Sequence, residues 1–452
     1  MSAQVGTENS MPIKRTDFRA WLGLGLLAVT LSACGALRAG GGGGEALPPP
    51  PTREPAGPPT PTPEPVTVSE ETTAGQLERF ELVWQQLRQG YAFPDYNGVD
   101  WDAIEDIYRT QVADGMTEEM FQAAMAAMVS ELGDGSTFYL TPEIIAEQQE
   151  ALERAEDGPE TGYVGTLVGM PDGVREVMTI LYVFPGSPAE EAGVQPHDVI
   201  VGIDGEPVPP EPEADILERV RGEVGSEVVL TVKAPGEEPR DLTVGRAPLD
   251  GGGEIEVKTL EGDIGYIFIP PGMEDASLGT RVTNAVRSLR EEENVEGLIL
   301  DLRITRASQE WPVNELLGLF VHGEAYELYN ATQSETISVT GKNVAGSQDL
   351  PLVVLASHDT AGPSEVFVGS LQALGRATVV GAQTDGMVET VFTLGIGEDA
   401  VLVFSGATAR SLDGQPWGRV GVSPDVEVDL LWEEFTAEDD AQLEAAIEAL
   451  QG

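Results

Sequence analysis

Residues Leu350 to Leu394 read LPLVVLASHDTAGPSEVFVGSLQALGRATVVGAQTDGMVETVFTL. The unbroken apolar run Leu352 to Leu355 predicts a buried strand. A turn-rich stretch follows it. Ser364 to Leu374 then carries apolar residues at helical spacing, and Pro363 suits a helix's first turn. Thr378 to Val380 predicts a second strand, ended by Gly381. Strand, turn, helix, strand is a βαβ unit, and such units expose their working groups at the strand's carboxyl end.

Outward from this unit the chain keeps the same character. Gly262 to Pro270, GDIGYIFIP, and Gly297 to Arg303, GLILDLR, read as buried strands, the second ending in a charged pair. Leu278 to Arg290 is an amphipathic helix, and Gln442 to Leu450 a final one. Upstream, 158–249 alternates short apolar runs with turns around Val183 to Asp204, VFPGSPAEEAGVQPHDVIVGID. A helix is expected from about Glu213 to Arg221. His197 reads as an exposed turn residue. Further upstream, 69–157 reads as helices. Leu77, Phe80, Trp84 and Leu87 recur at helical spacing, as do Trp101, Ile104, Tyr108 and Val112. Thr117 is a suitable N-cap and Gly133 a suitable stop.

The amino-terminal end points to export. Lys14, Arg15 and Arg19 precede an apolar run, Trp21 to Leu31, about half of the ~20 residues that span a bilayer. It ends in Leu31-Ser32-Ala33-Cys34, which is similar to a lipoprotein box, and Cys34 is the only cysteine of the 452 residues. The expectation is a signal peptide over 1–34 with Cys34 as the lipidation site, and extracytoplasmic, lipid-anchored attachment to a bacterial membrane. A Gly/Pro-rich linker over 35–68 cannot build a core. The 77 acidic against 25 basic residues give a formal charge of -52, which excludes nucleic acid as a partner. Three histidines and no ligand-spaced cluster leave no expected metal or cofactor.

The 350–394 stretch resembles the tail-specific (C-terminal processing) serine peptidase family. That family's TASASE, GRA and GEKTFGKGxVQ elements fall without gaps on Thr360 to Glu365, Gly375 to Ala377 and Gly381 to Val391. Asp413 to Asp425, DGQPWGRVGVSPD, is similar to its closing element, and Leu132 to Glu143, LGDGSTFYLTPE, to its DxHSxYLTPE element, with Ser136 at the histidine. The 183–204 stretch resembles the core of PDZ domains. The resemblance implies a multidomain α+β chain: a helical segment over 69–157, a PDZ-like β domain over 158–249, and an α/β tail-specific-protease (ClpP/crotonase-like) domain over 250–452. It also implies a carboxylate-binding loop at Tyr163, Val164, Gly165 and Thr166, which would hold polypeptide C-termini or unfolded peptides by strand addition.

The same frame removes the family's chemistry. Its nucleophilic serine falls on Gly362, its base lysine on Met387, and the glutamine that orients the lysine on Val391. One oxyanion donor would be the amide of residue 363, but Pro363 has no N–H. The family's NNPGG, source of the other donor, falls on Ile304 to Ser308. Acyl transfer needs all three groups, so a pseudopeptidase that binds polypeptide C-termini is the leading expectation. An active serine endopeptidase with displaced residues is the alternative, with Ser364 as fallback nucleophile. Ser357, His358 and Asp359 are too close in sequence to form a relay. Restoring Gly362→Ser, Pro363→Ala and Met387→Lys together is expected to move the chain toward activity.

Overall fold

The computed structural model describes residues 68–156, 161–171, 174–209, 216–248, 253–273, 277–397 and 399–451. The expected signal peptide, Cys34 and nearly all of the linker lie outside the described residues.

The chain begins with three helices, α1 (Glu70–Gly90), α2 (Trp101–Ala113) and α3 (Glu118–Ser130), then strand β1 (Phe138–Leu140) and helix α4 (Pro142–Glu156). Local chemistry sets their ends. The Ser69, Asp100 and Thr117 side chains each accept an amide of the first turn that has no helical partner. Phe80, Trp84, Leu87, Trp101, Tyr108 and Val112 are buried together, as their spacing predicts.

The PDZ module follows. Its strands are β2 (Thr161–Gly162), β3 (Thr166–Gly169), β4 (Met178–Val183), β5 (Val199–Ile203), β6 (Glu206–Pro207), β7 (Gly222–Glu223), β8 (Glu227–Lys233) and β9 (Arg240–Gly245). Helices α5 (Pro188–Ala192) and α6 (Ile216–Val220) complete it. The first part of the helix expected from Glu213 lies outside the described residues. The sheet runs β3-β4-β5-β8-β9, so β3 is an edge strand, its only described partner being β4.

The last part comprises β10 (Glu256–Leu260), β11 (Ile264–Phe268), α7 (Leu278–Glu291), β12 (Gly297–Asp301), α8 (Val313–Phe320), β13 (Gly323–Tyr329) and β14 (Ser334–Val339). It continues with β15 (Leu352–Ala356), α9 (Pro363–Ala373), β16 (Thr378–Gly381), β17 (Thr390–Ile396), β18 (Ala400–Arg410), β19 (Val426–Glu427), a 3-10 turn (Trp432–Glu434) and α10 (Ala441–Gln451). Strands β11, β12, β15, β16 and β19 are parallel, with β10 antiparallel at the edge. All five residues of β15 are buried. Its two faces are covered differently, which is why the run shows no polar alternation. Leu352 and Val354 pack with Val282, Leu316 and Phe367 of α7 to α9. Val353 and Leu355 pack with Trp432, Phe435 and Ala446.

The helices of 69–157 share their core with the last domain. Strand β1 pairs antiparallel with β18, Tyr139 opposite Leu402, and Leu402 and Phe404 lie in the helices' core. His197, expected in an exposed turn, is buried at 5% exposure. Its backbone does take the turn conformation, with φ +75°. Its ring stacks on Trp432 at 4.3 Å, with Nδ1 2.6 Å from the Trp432 carbonyl, and burial lowers its pKa. The PDZ module is thus seated on the last domain. Two further contacts hold it there. Leu181 joins the core beneath Trp432, and the buried Arg175 guanidinium pairs with Asp359 at 2.7 Å and Glu433 at 3.0 Å.

The candidate catalytic cleft

The turn between β15 and α9 is braced from below. Ser357 Oγ donates to the Arg303 carbonyl at 2.6 Å, and Thr360 Oγ1 to the Leu302 carbonyl at 2.8 Å. Asp359 is committed to Arg175. These residues therefore shape the turn, and no relay forms among Ser357, His358 and Asp359.

Gly362 caps α9, and Pro363 is the first helical residue, as expected. Glu365 carries the geometry of the site. Its carboxylate is fully buried. Oε1 accepts the amides of Gly362 at 3.0 Å and Met387 at 2.8 Å. Oε2 accepts the Gly386 amide at 2.6 Å and the Thr384 hydroxyl. One carboxylate oxygen thus brings together the two positions that the frame assigns to nucleophile and base. Burial pushes the Glu365 carboxyl up to about 7, against the pull of Thr384 and the Gly386 and Gly362 amides.

The two positions differ in the room they leave. Gly362 has φ +76°. A Cβ built on it would lie 2.3 Å from the Ala307 carbonyl oxygen. No L side chain fits there without backbone movement. The Ala307 amide, within the segment that replaces NNPGG, donates to the Ala361 carbonyl at 2.9 Å. It is therefore not aimed at a developing oxyanion. Met387 is 49% exposed and offers a thioether. Val391 donates its amide to Gln309 Oε1 at 3.2 Å. The fallback hydroxyl is turned inward. Ser364 is fully buried, and its Oγ faces the Thr305 and Ala361 carbonyls, each at 2.8 Å.

Beside the cleft lies a cavity of about 340 Å³. Trp311, Tyr326, Leu328, Pro363, Val388 and Glu389 are among its walls. Burial, with the Asp134 and Asp385 charges, pushes the Glu389 carboxyl up to about 7, while Arg419 pulls the other way. A carboxyl raised from 4.5 stabilises the fold fully below about pH 4.5 and loses that contribution as pH rises through about 7. Relative to the natural protein, Glu389→Gln should therefore gain on the order of 2 kcal/mol between pH 4.5 and 8. Urea unfolding across that range measures the difference, and parallel pH curves would refute it.

In the PDZ module the four expected loop residues divide. The Tyr163 amide is taken by the Ala247 carbonyl at 2.7 Å, so it cannot serve an anion. The amides of Val164 and Gly165 find no acceptor among the described residues. Gly165, at φ +85°, approaches Ser187 so closely that a Cβ would lie 2.2 Å from the serine Cβ. Thr166 opens the edge strand β3. Among the described residues no group of three or more His, Cys, Asp or Glu side chains could hold a metal ion.

A PDZ module seated on a parallel-sheet domain, with a cleft at a helix N-terminus, is a fold shared with a solved C-terminal processing protease. Residues 263–428 match peptidase family S41, 179–233 match a PDZ domain and 75–130 match the Tricorn protease C1 domain. The chain is 28% identical over 379 residues to the carboxyl-terminal-processing protease of Synechocystis, covering 82% of this chain and 85% of that one. It is 27% identical over 373 residues to the chloroplastic C-terminal processing peptidase of Tetradesmus obliquus, covering 79% of this chain and 78% of that one. The structure of a photosystem II D1 C-terminal processing protease superposes with TM-score 0.58 at 23% identity, over 85% of this chain and 98% of that one. Over residues 263–428 the chain is similar to peptidase family S41.

Proposed function

We propose that this S41-like protein has lost peptide-bond cleavage and binds polypeptide C-termini through its PDZ module, as an extracytoplasmic lipoprotein held by Cys34. One observation carries the loss of cleavage: the nucleophile position is Gly362, in a conformation where a side chain would strike the Ala307 carbonyl. Pro363 and Met387 remove an oxyanion donor and a base at the same place. Loss of a serine nucleophile can cost on the order of 10⁶ in rate. Binding of C-termini is supported by the open edge of β3 and the two unclaimed amides at its start. Anchoring is supported by the Leu31 to Cys34 sequence. Among the described residues no helix is long and apolar enough to cross a membrane.

The test uses the body from Val68 onward and unstructured peptides with apolar C-termini. Calorimetry should detect the free-carboxylate peptide and not its amidated twin, with no turnover of either. Sustained hydrolysis that follows the protein, or fluorophosphonate labelling of Ser364, would overturn the loss of cleavage. Equal binding of both peptides, or of neither, would overturn the receptor reading. Cys34→Ser should release the full chain from the membrane fraction.

The three restoring substitutions are expected to give no turnover alone, because the Ala307 carbonyl still fills the place of the serine Cβ. Adding NNPGG at 304–308 keeps a carbonyl at 307, but the freedom of its glycines should let that carbonyl turn aside. Measurable hydrolysis by the three-residue variant would contradict this.

A further inference from the structure

Strand β10 forms one edge of the parallel sheet, and among the described residues no strand but β11 pairs with it. Which backbone groups face its open side follows from the ladder. The Ile269 amide donates to the Asp301 carbonyl, and the Asp263 carbonyl accepts the Glu296 amide, so the odd-numbered residues along β11 turn toward β12. Ile264, Tyr266 and Phe268 therefore turn toward β10, where they stand opposite Leu260, Lys258 and Glu256. The N–H and C=O groups of Val257 and Thr259 are left pointing outward. Glu256 to Thr259 are all exposed, and Val257 is an apolar side chain at 40% exposure. A bare edge of this kind is ordinarily guarded by a charge. Here the guard is a matched pair: Lys258 Nζ lies 2.8 Å from Glu256 Oε1, two residues along on the same face.

We propose that β10 is a self-association surface, on which a second copy of this chain adds its own β10 antiparallel about a twofold axis through Val257, with Glu256 of each copy opposite Lys258 of the other. Three features select that register. Val257 has its N–H and C=O turned outward, so it meets its twin as a hydrogen-bonded pair, with Ile255 and Thr259 opposed on either side. An acidic residue one place before the axis and a basic residue one place after it become two cross-strand ion pairs. Moving the axis by one residue would instead set Glu256 on Glu256 or Lys258 on Lys258. On the other face the exposed Val257 side chains cover each other, beside Ile267. A twofold contact closes at two copies and uses up the edge, where a head-to-tail contact could run on into a fibre. The formal charge of -52 on each chain opposes association, so copies meet only where acidic and basic groups are matched. One strand pair is also small beside the ~1,600 Å² of a standard interface, so the pairing is reversible and depends on concentration.

Sedimentation velocity of the full chain carrying Cys34→Ser, over a wide range of concentrations, should show a monomer–dimer equilibrium. Lys258→Glu and Glu256→Lys should each weaken it roughly tenfold, because each sets two like-charged pairs across the axis. Glu256→Lys does so while lowering the net charge, which separates register from bulk repulsion. Both side chains are about half exposed, so neither change threatens the fold. Mixing the two variants should restore pairing as a heterodimer, since each strand then meets opposite charges at both places. The pair within each strand stays like-charged in that mixture, so only contacts between copies can give the rescue. In the same background Val257→Cys should oxidise to a disulfide-linked pair, because opposed residues of a hydrogen-bonded pair lie ~5.5 Å apart at Cα, within disulfide reach. Thr259→Cys, off the axis on the same face, should not. A single monomeric species at every concentration, variants that stay apart when mixed, or Thr259→Cys linking as readily as Val257→Cys would each overturn the proposal. The pairing uses neither the cleft nor the PDZ loop, so its failure leaves the receptor reading standing.

Discussion

Arg175→Met is expected to lower the stability of the folded body by on the order of 3–5 kcal/mol. The Arg175 side chain is 1% exposed, and its partners Asp359 and Glu433 are 3% and 9% exposed. Methionine keeps the stem but removes both hydrogen-bonded pairs. Two carboxylates are then left buried without their main counter-ion. Arg306 offers little compensation: its Nε is 3.9 Å from Asp359, and it is 41% exposed and already paired with Asp385. The cost lies in the stranded charges, not in the attraction that was lost. Replacing all three groups, Arg175→Met with Asp359→Leu and Glu433→Leu, should recover most of the stability, because an apolar set of similar volume can match a buried ion network. Thermal and urea unfolding compare the variants. A single variant as stable as the natural protein would show that water reaches the cluster. The PDZ module should also loosen, and faster proteolysis between Ala247 and Gly253 would report it.

Glu365→Gln is expected to cost on the order of 3 kcal/mol and to separate the two halves of the cleft. The carboxylate accepts three backbone amides and a hydroxyl. A glutamine offers one acceptor oxygen and turns an amide NH₂ toward donors. At least one of Gly362, Gly386 or Met387 then keeps a buried N–H with no acceptor. Hydrogen exchange should show lost protection at those amides, with little change in β15. Retained protection at all three would mean that the loop is held by its own backbone contacts and that Glu365 only reports their closeness.

Much of this was legible in the chain because it depends on local pattern. The β15-turn-α9-β16 unit follows from an apolar run too uniform for a half-exposed strand and from the proline that opens the helix. The meeting of positions 362 and 387 follows from a frame without gaps across that unit. What stayed hidden depends on partners far away in sequence. His197 reads correctly as a turn residue, yet Trp432, which covers it, lies 235 residues on. Arg175 sits in a loop with no pattern, and Asp359 is 184 residues away. The blocked Cβ at Gly362 needs the Ala307 carbonyl, and backbone atoms leave no mark on residue identity. Ser364 falls in the first turn of α9 and is fully buried.

The antiparallel match of β1 with β18 has a kinetic result. The Ser405 amide reaches the Thr137 hydroxyl across 268 residues. During synthesis the opening helices must therefore wait, with Phe80 and Leu402 yet to meet, until almost the entire polypeptide has been made. Loop closure over such a span is slow. A newly made chain will pass through a stage in which that apolar surface is bare. Holding chaperones should act most strongly there, and shortening either terminus should harm the opposite one.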